Sequence, residues 1–451
     1  MSGMSRDEAI WRRLYNLFDP TRRLELGEQD LYVSRPGSVA AAVAGDLKDR
    51  FEPRGKWVFC GSMGSGKSSE LIHLGAMLDN THTLVGLDLL GSVTRIDLVE
   101  PAEVLFLIGA AAVRTAKDLL DHEIDNKLVV ELRKAFDGVL DEGHGIDLAR
   151  IFQGVALFTV NVAAPGVGAV AGAARGVTDA AGGLLGDRAR LTLSRTPKLG
   201  GLARPLREGE ADFEKLREAV DEILLALPAQ RPVVVLVDGL DKVQELPAIR
   251  NLFTASRILA LPAAQVVYTA PITLMLEAEW QAAGGTFRRA RLTNLVIRRP
   301  DVERVTITDD EIAANREVMA SVIDKRLKPL RLSRDEVFEP GCVDALVTAS
   351  GGLMRDLVHL VNRAVRRAYQ DDASRVGQSA VDSAVEEIRK EYEVTLNTRR
   401  VDELRHVRKW GEPSGAEGSN EPLLGGYVLP YSNGRIWCEP HPILRGLRPE
   451  L

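Results

Sequence analysis

Residues 61–68 read Gly-Ser-Met-Gly-Ser-Gly-Lys-Ser, and no other stretch of the chain restricts its fold so tightly. The spacing is G-x-x-x-x-G-K-S, with glycines where the backbone must take angles closed to other residues. A backbone curled in this way turns successive N–H groups inward, where they bind anionic oxygen. Trp57–Cys60 is a short apolar run that predicts a strand before the loop, and Ser68–Leu78 predicts a helix after it. The start of that helix adds its positive dipole end at the same point. Strand, glycine loop and helix together imply a phosphate-binding loop. On this reading Gly61, Ser62, Met63, Gly64, Ser65, Gly66, Lys67, Ser68 and Ser69 line a nucleotide's phosphates. Lys67 reaches the β- and γ-phosphates and Ser68 offers its hydroxyl to magnesium. The expected cofactors are ATP or ADP and Mg2+.

A second string supports the first. Residues 233–241 read Val-Val-Val-Leu-Val-Asp-Gly-Leu-Asp. An apolar run of this length ending in an aspartate predicts a buried parallel strand that delivers a carboxylate to the sheet edge where ligands bind. Asp238 is the expected second magnesium ligand. Asp241, three residues on, is placed either to orient and deprotonate an attacking water or simply to cap a helix or lie on the surface.

Apolar spacing lays out the rest. Helices are expected at about 7–18, 38–50, 102–120, 126–140, 210–227 and 246–259, with a further one opened by Pro271. Strands are expected at Thr81–Leu90, Pro232–Val237, Gln265–Thr269 and Arg291–Ile297, the last preceded by a basic tip at Arg288–Arg289. Alternating strands and helices imply an α/β fold with a mostly parallel three-layer sheet. After Pro300 only helices are expected, at about 309–326, 333–337, 340–349, 354–371 and 379–395. A Gly/Ser/Glu-rich break, Gly411–Pro422, precedes two short runs, Tyr427–Tyr431 and Arg435–Glu439, around Asn433-Gly434, which predicts a hairpin. The expected organisation is a helical segment at 1–50, a P-loop ATPase domain at 51–300, a helical lid at 301–396 and a winged-helix-like tail at 397–451.

One stretch does not fit a plain sheet domain. From Ile151 to Ala174 no residue is charged, and glycine and alanine remain abundant to about 186. The uncharged length would just span a bilayer. Gln153, Asn161, Pro165, the glycines and the alanines make it a poor membrane segment, so 151–186 reads as an insertion. Within it, Ala156–Val162 has the composition of a strand. The formal net charge of −6 gives no general attraction for nucleic acid. Three scattered cysteines, Cys60, Cys342 and Cys438, form neither a disulfide framework nor a zinc motif. With an N-terminus that lacks an apolar signal region, they predict a cytoplasmic chain.

The order of parts resembles a family. Phosphate loop, Val-Asp-Gly-Leu-Asp strand, Tyr-Thr-Ala-Pro (268–271) and Ser-Gly-Gly-Leu-Met-Arg-Asp (350–356) follow one another as in AAA+ ATPases of the origin-recognition type and the related STAND NTPases. The resemblance spans about Tyr32–Leu447. It implies a nucleotide-binding sheet, a helical lid and a winged helix used as an oligomerising switch. By that resemblance Thr269 is a polar sensor near the γ-phosphate and Arg355 a second sensor in the lid. Arg288 and Arg289 hold the place of an arginine finger, although a basic run is equally read as a solvated loop. His441, in Cys-Glu-Pro-His-Pro, resembles the tail histidine that contacts a bound diphosphate in STAND proteins. The sequence departs from AAA+ ATPases at Gly239, where a catalytic glutamate is usual, and Lys242 stands where an acid is common. The departures imply slow hydrolysis.

The expected function is a regulatory ATPase whose nucleotide state sets conformation and self-association as a homo-oligomer or with a protein partner. Two other readings are an origin-recognition-like DNA-binding ATPase and a membrane-acting effector using 151–174. The tail hairpin offers only Arg435, with Arg445 and Arg448 beyond it, which argues against a DNA-reading wing.

Overall fold

In the computed structural model the described residues are 8–21, 30–49, 54–93, 95–139, 155, 157, 206–228, 231–277, 280, 285–301, 305–416, 418–445 and 447. In chain order the principal elements are α1 (Glu8–Leu17), α2 (Val39–Asp49), β1 (Lys56–Gly61), α3 (Lys67–Leu78), β2 (Thr83–Asp88), α4 (Pro101–Leu120), α5 (Asn126–Val139) and α6 (Leu206–Leu225). Then come β3 (Val233–Asp238), β4 (Gln265–Pro271) and β5 (Arg288–Leu292). The helices α7 (Asp309–Leu327), α8 (Cys342–Ala349), α9 (Met354–Gln370), α10 (Gln378–Thr395) and α11 (Thr398–Trp410) precede the hairpin strands β6 (Val428–Ser432) and β7 (Ile436–Pro440). The fold is α/β, and the residues divide into two compact units: 39–60 with 71–290, and 1–38 with 61–70 and 291–451.

The first of these units is built on the sheet, whose strand order is β2-β3-β4-β1-β5. β2 and β3 run parallel with Asp88 opposite Asp238, and β3 and β4 are also parallel. β4 is buried along its whole length, as a central strand covered on both faces requires. Every residue of α4 from Pro101 to Ala112 is buried. Gly109 lets α5 and α6 come close, since a Cβ there would lie 2.8 Å from Leu132 and 3.3 Å from Val220. Phe106 and Phe136 stack with centroids 4.2 Å apart at the same contact. Glu103 is buried in the first turn of α4, where it closes a capping box with Glu100.

The second unit gathers its helices around one apolar core. Trp11, Leu14 and Phe18 of the N-terminal segment share it with Leu357 and Val361 of α9, Val381 and Ile388 of α10, and Leu404 and Val407 of α11. Leu14 is fully buried, a contribution of about 1.5–3 kcal/mol at the usual worth of such a side chain. β6 and β7 pair antiparallel, with Val428 opposite Pro440, and Gly434 takes φ +98° in their turn.

Three expected elements differ in the structure, and one helix lies where none was expected. The strand expected over Thr81–Leu90 ends at Asp88, because the Asp88 carboxylate accepts from the Leu90 N–H at 3.1 Å and caps a single helical turn. The helix expected over 246–259 stops at Arg250, continues as a π turn over Asn251–Ala255, and breaks where Ser256 accepts from the Ile258 N–H. The strand expected at Arg291–Ile297 is instead Arg288–Leu292, so Arg288 and Arg289 lie on a strand. Residues past it bond elsewhere: Asn294 N–H to the Pro430 carbonyl and Leu295 N–H to that of Gly352. Finally, α11 was not expected, although its signals are local: an Asn397 side chain capping Arg400, Val401, Leu404 and Val407 on one face, and Gly411 at φ +70° to end it.

Of the Ala/Gly-rich stretch only Val155 and Leu157 are described, and Leu157 makes an isolated antiparallel bridge with Leu87. The rest of the 151–186 insertion lies outside the described residues, including all but two residues of its uncharged part, as does Arg448. Among the described residues no helix is long and apolar enough to cross a membrane.

Candidate functional site

The loop between β1 and α3 has the backbone that its sequence demands. Gly64 and Gly66 take φ +84° and +96°, angles at which a side chain is strained. The Ser65 N–H closes a turn on the Ser62 carbonyl at 3.1 Å, and α3 starts at Lys67. Gly61 is needed for a second reason: a Cβ there would fall 2.6 Å from the Leu292 carbonyl oxygen. The Lys67 ammonium is buried and donates to the carbonyls of Gly61 at 2.8 Å and Ser62 at 2.6 Å. The hydroxyls of Ser62 and Ser65 are buried with no hydrogen-bond partner among the described residues. Met63, Ser68 and Ser69 are half-buried around them. Two orphaned hydroxyls, an ammonium resting on exchangeable carbonyls and a loop turned by positive-φ glycines suit a group rich in anionic oxygen.

The loop is braced from the N-terminal segment. The Arg35 guanidinium donates to the carbonyls of Ser65 and, at 3.2 Å, Thr293. It lies 3.9 Å from Glu70, which also accepts from the Tyr32 hydroxyl at 2.9 Å. Burial lowers the proton affinity of Arg35 and the nearby Glu70 opposes this. Arg35 was not among the residues expected from sequence. Its only local sign is an arginine in Tyr-Val-Ser-Arg-Pro-Gly, ahead of the second helix.

Arg355 meets the same loop. Its backbone N–H donates to the Gly64 carbonyl at 3.2 Å, and a Cβ on Gly64 would lie 2.5 Å from Arg355 Cβ. The arginine is exposed at the start of α9. His441 is fully buried and both of its ring nitrogens are engaged. Nδ1 accepts from the Ile443 N–H at 3.1 Å, and Nε2 lies 2.9 Å from the Asp356 carboxylate. Its ring stacks on Tyr392 with centroids 5.6 Å apart. His441 is thus linked to the residue after Arg355.

The sheet unit holds the other expected residues. Asp238 is buried at the end of β3 and accepts from the Gly239 N–H at 2.9 Å. The Thr269 hydroxyl accepts from the same N–H at 3.0 Å, so the ends of β3 and β4 share one donor. Gly239 has φ +108°. Asp241 is neither a cap nor a surface charge: it is buried in a short 3-10 turn and pairs with Lys242 at 2.8 Å. Asp88 sits opposite Asp238 in the register, a second carboxylate at this end that sequence reading did not single out. Among the described residues no three His, Cys, Asp or Glu side chains group as a metal site. Arg288 lies 5.4 Å from the Trp57 ring and 3.4 Å from Asp46. Arg289 lies 5.0 Å from the Trp280 ring and donates to the Trp280 carbonyl.

No family model matches the chain, and no curated protein matches it. Among solved structures it is similar to Drosophila ORC bound to DNA, at 11% identity over 99% of this chain and 94% of the other, with a TM-score of 0.39. It is also similar to Aeropyrum pernix ORC1 in complex with DNA, at 12% identity over 91% of each chain and a TM-score of 0.39. A third is a mutant RuvB of Thermotoga maritima, at 13% identity over 92% of this chain and 95% of the other, with a TM-score of 0.34.

Proposed function

We propose that this chain is an ATPase that binds ATP and ADP with magnesium through Gly61–Ser68, turns ATP over slowly, and changes conformation and self-association with the nucleotide held. The observation that carries the proposal is the loop itself. Positive φ at Gly64 and Gly66, the buried orphan hydroxyls of Ser62 and Ser65 and the Lys67 ammonium all sit in one turn at a helix start. Lys67 exchanges its two carbonyl acceptors for phosphate oxygens, a stronger charge-assisted pairing. Ser68 and Asp238 would hold the metal, which when bound neutralises phosphate charge. Asp241 orients water and Thr269 senses the γ-phosphate. Arg355 reports the nucleotide to α9. Slow turnover follows from Gly239 standing where a glutamate base is usual and from the pairing of Asp241 with Lys242.

The test is calorimetric titration with ADP, ATP and a non-hydrolysable analogue, with phosphate release and light scattering after size exclusion on the same samples. Micromolar-range binding with a nucleotide-dependent mass supports the proposal; absence of binding sinks it. One observation favours a second reading. The last turns of α11 expose Arg405, Arg408, Lys409 and Trp410, basic and aromatic side chains that suit nucleic acid, although Arg405 pairs with Asp402 at 2.8 Å. Affinity for duplex DNA that falls steeply with salt would support that reading.

A further inference from the structure

We propose that Asp356 is a positioning residue that couples the C-terminal hairpin segment to the phosphate loop. It does so by holding the first turn of α9 against Gly64. The consequence for ligand binding rests on the nucleotide-binding reading above; the coupling does not.

Three sets of contacts within one unit carry the inference. The first joins α9 to the loop: the Arg355 N–H bonds the Gly64 carbonyl, and Gly64 has no space for even a methyl group. The second joins α9 to the tail. Because His441 Nδ1 accepts from the Ile443 N–H, the ring proton of the neutral imidazole resides on Nε2 and is aimed at the Asp356 carboxylate, 2.9 Å away. Tyr392 of α10 stacks on the imidazole and fixes its plane. The third grips the turn that leads into α9. The Tyr431 hydroxyl of β6 donates to the Gly351 carbonyl at 2.7 Å. A Cβ on Gly351 would run into Leu429 of β6 and lie 2.9 Å from Pro442. A Cβ on Gly352 would overlap the Leu295 carbonyl, and the Leu295 N–H bonds the Gly352 carbonyl at 3.3 Å.

The turn before α9 and the first acidic residue of that helix, Asp356, are therefore both held by the hairpin segment, and Arg355 between them bonds the phosphate loop. A carboxylate left without His441 would turn to water, and the constraint on Arg355 would relax with it. A purely local role for the pair predicts damage confined to residues near 350–356 and 436–445. Coupling predicts an effect at 61–70 as well.

The experiment is hydrogen exchange on the full chain without nucleotide, followed by calorimetric titration with magnesium and ADP. Asp356→Ala and His441→Ala should each raise exchange in the 61–70 peptide by a similar factor, and the double variant should add little. Both should weaken ADP by about tenfold, the usual size for a lost hydrogen bond to a charged group. Asp356→Asn keeps an oxygen for Nε2–H and should stay close to the parent in both measurements. Exchange at 61–70 unchanged in the alanine variants overturns the proposal, as does an asparagine variant no better than alanine. Should Asp356→Ala fail to fold, Tyr431→Phe removes one hydroxyl bond to Gly351. It must raise exchange at 61–70, and no change there also overturns the proposal. A parent protein that binds no nucleotide removes the functional reading, while the exchange arm still decides the coupling.

Discussion

Replacing Gly64 by alanine separates the requirements of a turn from those of a close approach. The residue sits at φ +84°, where an added Cβ costs about 1–2 kcal/mol through contact with its own backbone. The same Cβ would lie 2.5 Å from Arg355 Cβ and 3.0 Å from Cδ, so α9 must withdraw from the loop. Withdrawal forfeits the Arg355 N–H to Gly64 carbonyl bond, worth about 0.5–1.5 kcal/mol. The expected loss is then about 1.5–3.5 kcal/mol. Gly341→Ala provides the control, because Gly341 has φ +86° and nothing within 4 Å of its would-be Cβ. That variant should lose only the backbone share, about 1–2 kcal/mol, and keep its nucleotide affinity. Urea unfolding gives the stability of both variants, and calorimetry gives their affinity for magnesium and ATP. If Gly64→Ala is no less stable than Gly341→Ala and binds like the parent, the approach of α9 to the loop is not a feature of the molecule.

Three further outcomes are expected. Lys67→Ala should lower ATP affinity by several kcal/mol, the scale for removing one member of a desolvated charge pair, and near-parental binding by calorimetry would refute the loop assignment. Asp238→Ala should weaken magnesium-dependent binding and stop turnover, whereas Asp241→Asn should stop turnover and spare binding; phosphate release at the parental rate in both would remove these roles. Burial pushes the Glu103 carboxyl up from 4.5 to about 8, against an opposing bond from the Glu100 N–H. The folded form holds this proton more tightly than the unfolded chain. Its stabilising share is therefore complete below about pH 4.5 and is lost as pH rises through about 8. Glu103→Gln should flatten that decline, read as the urea midpoint across this range, and an unchanged slope would reject it.

Much of this molecule is written in short windows of sequence. Gly61–Ser68 fixes its own loop because positive φ and inward N–H groups are properties of consecutive residues. Val233–Asp238 declares a buried strand by an unbroken apolar run, and Asn433-Gly434 declares the hairpin by its turn chemistry. α11 likewise carries its own signals, an Asn397 cap, apolar residues on one face and Gly411 at its end, all within a single window of sequence. Other features had no local sign. Arg35 braces Ser65 from 30 residues away, and His441 meets Asp356 across 85. The strand expected to run on to Ile297 stops at Leu292 because Asn294 and Leu295 find carbonyl partners on Pro430 and Gly352. Backbone conformation is set by sterics within a few residues. The partner of a buried polar group is set by which distant segment the closing core brings within hydrogen-bond reach, and that depends on how the whole unit packs.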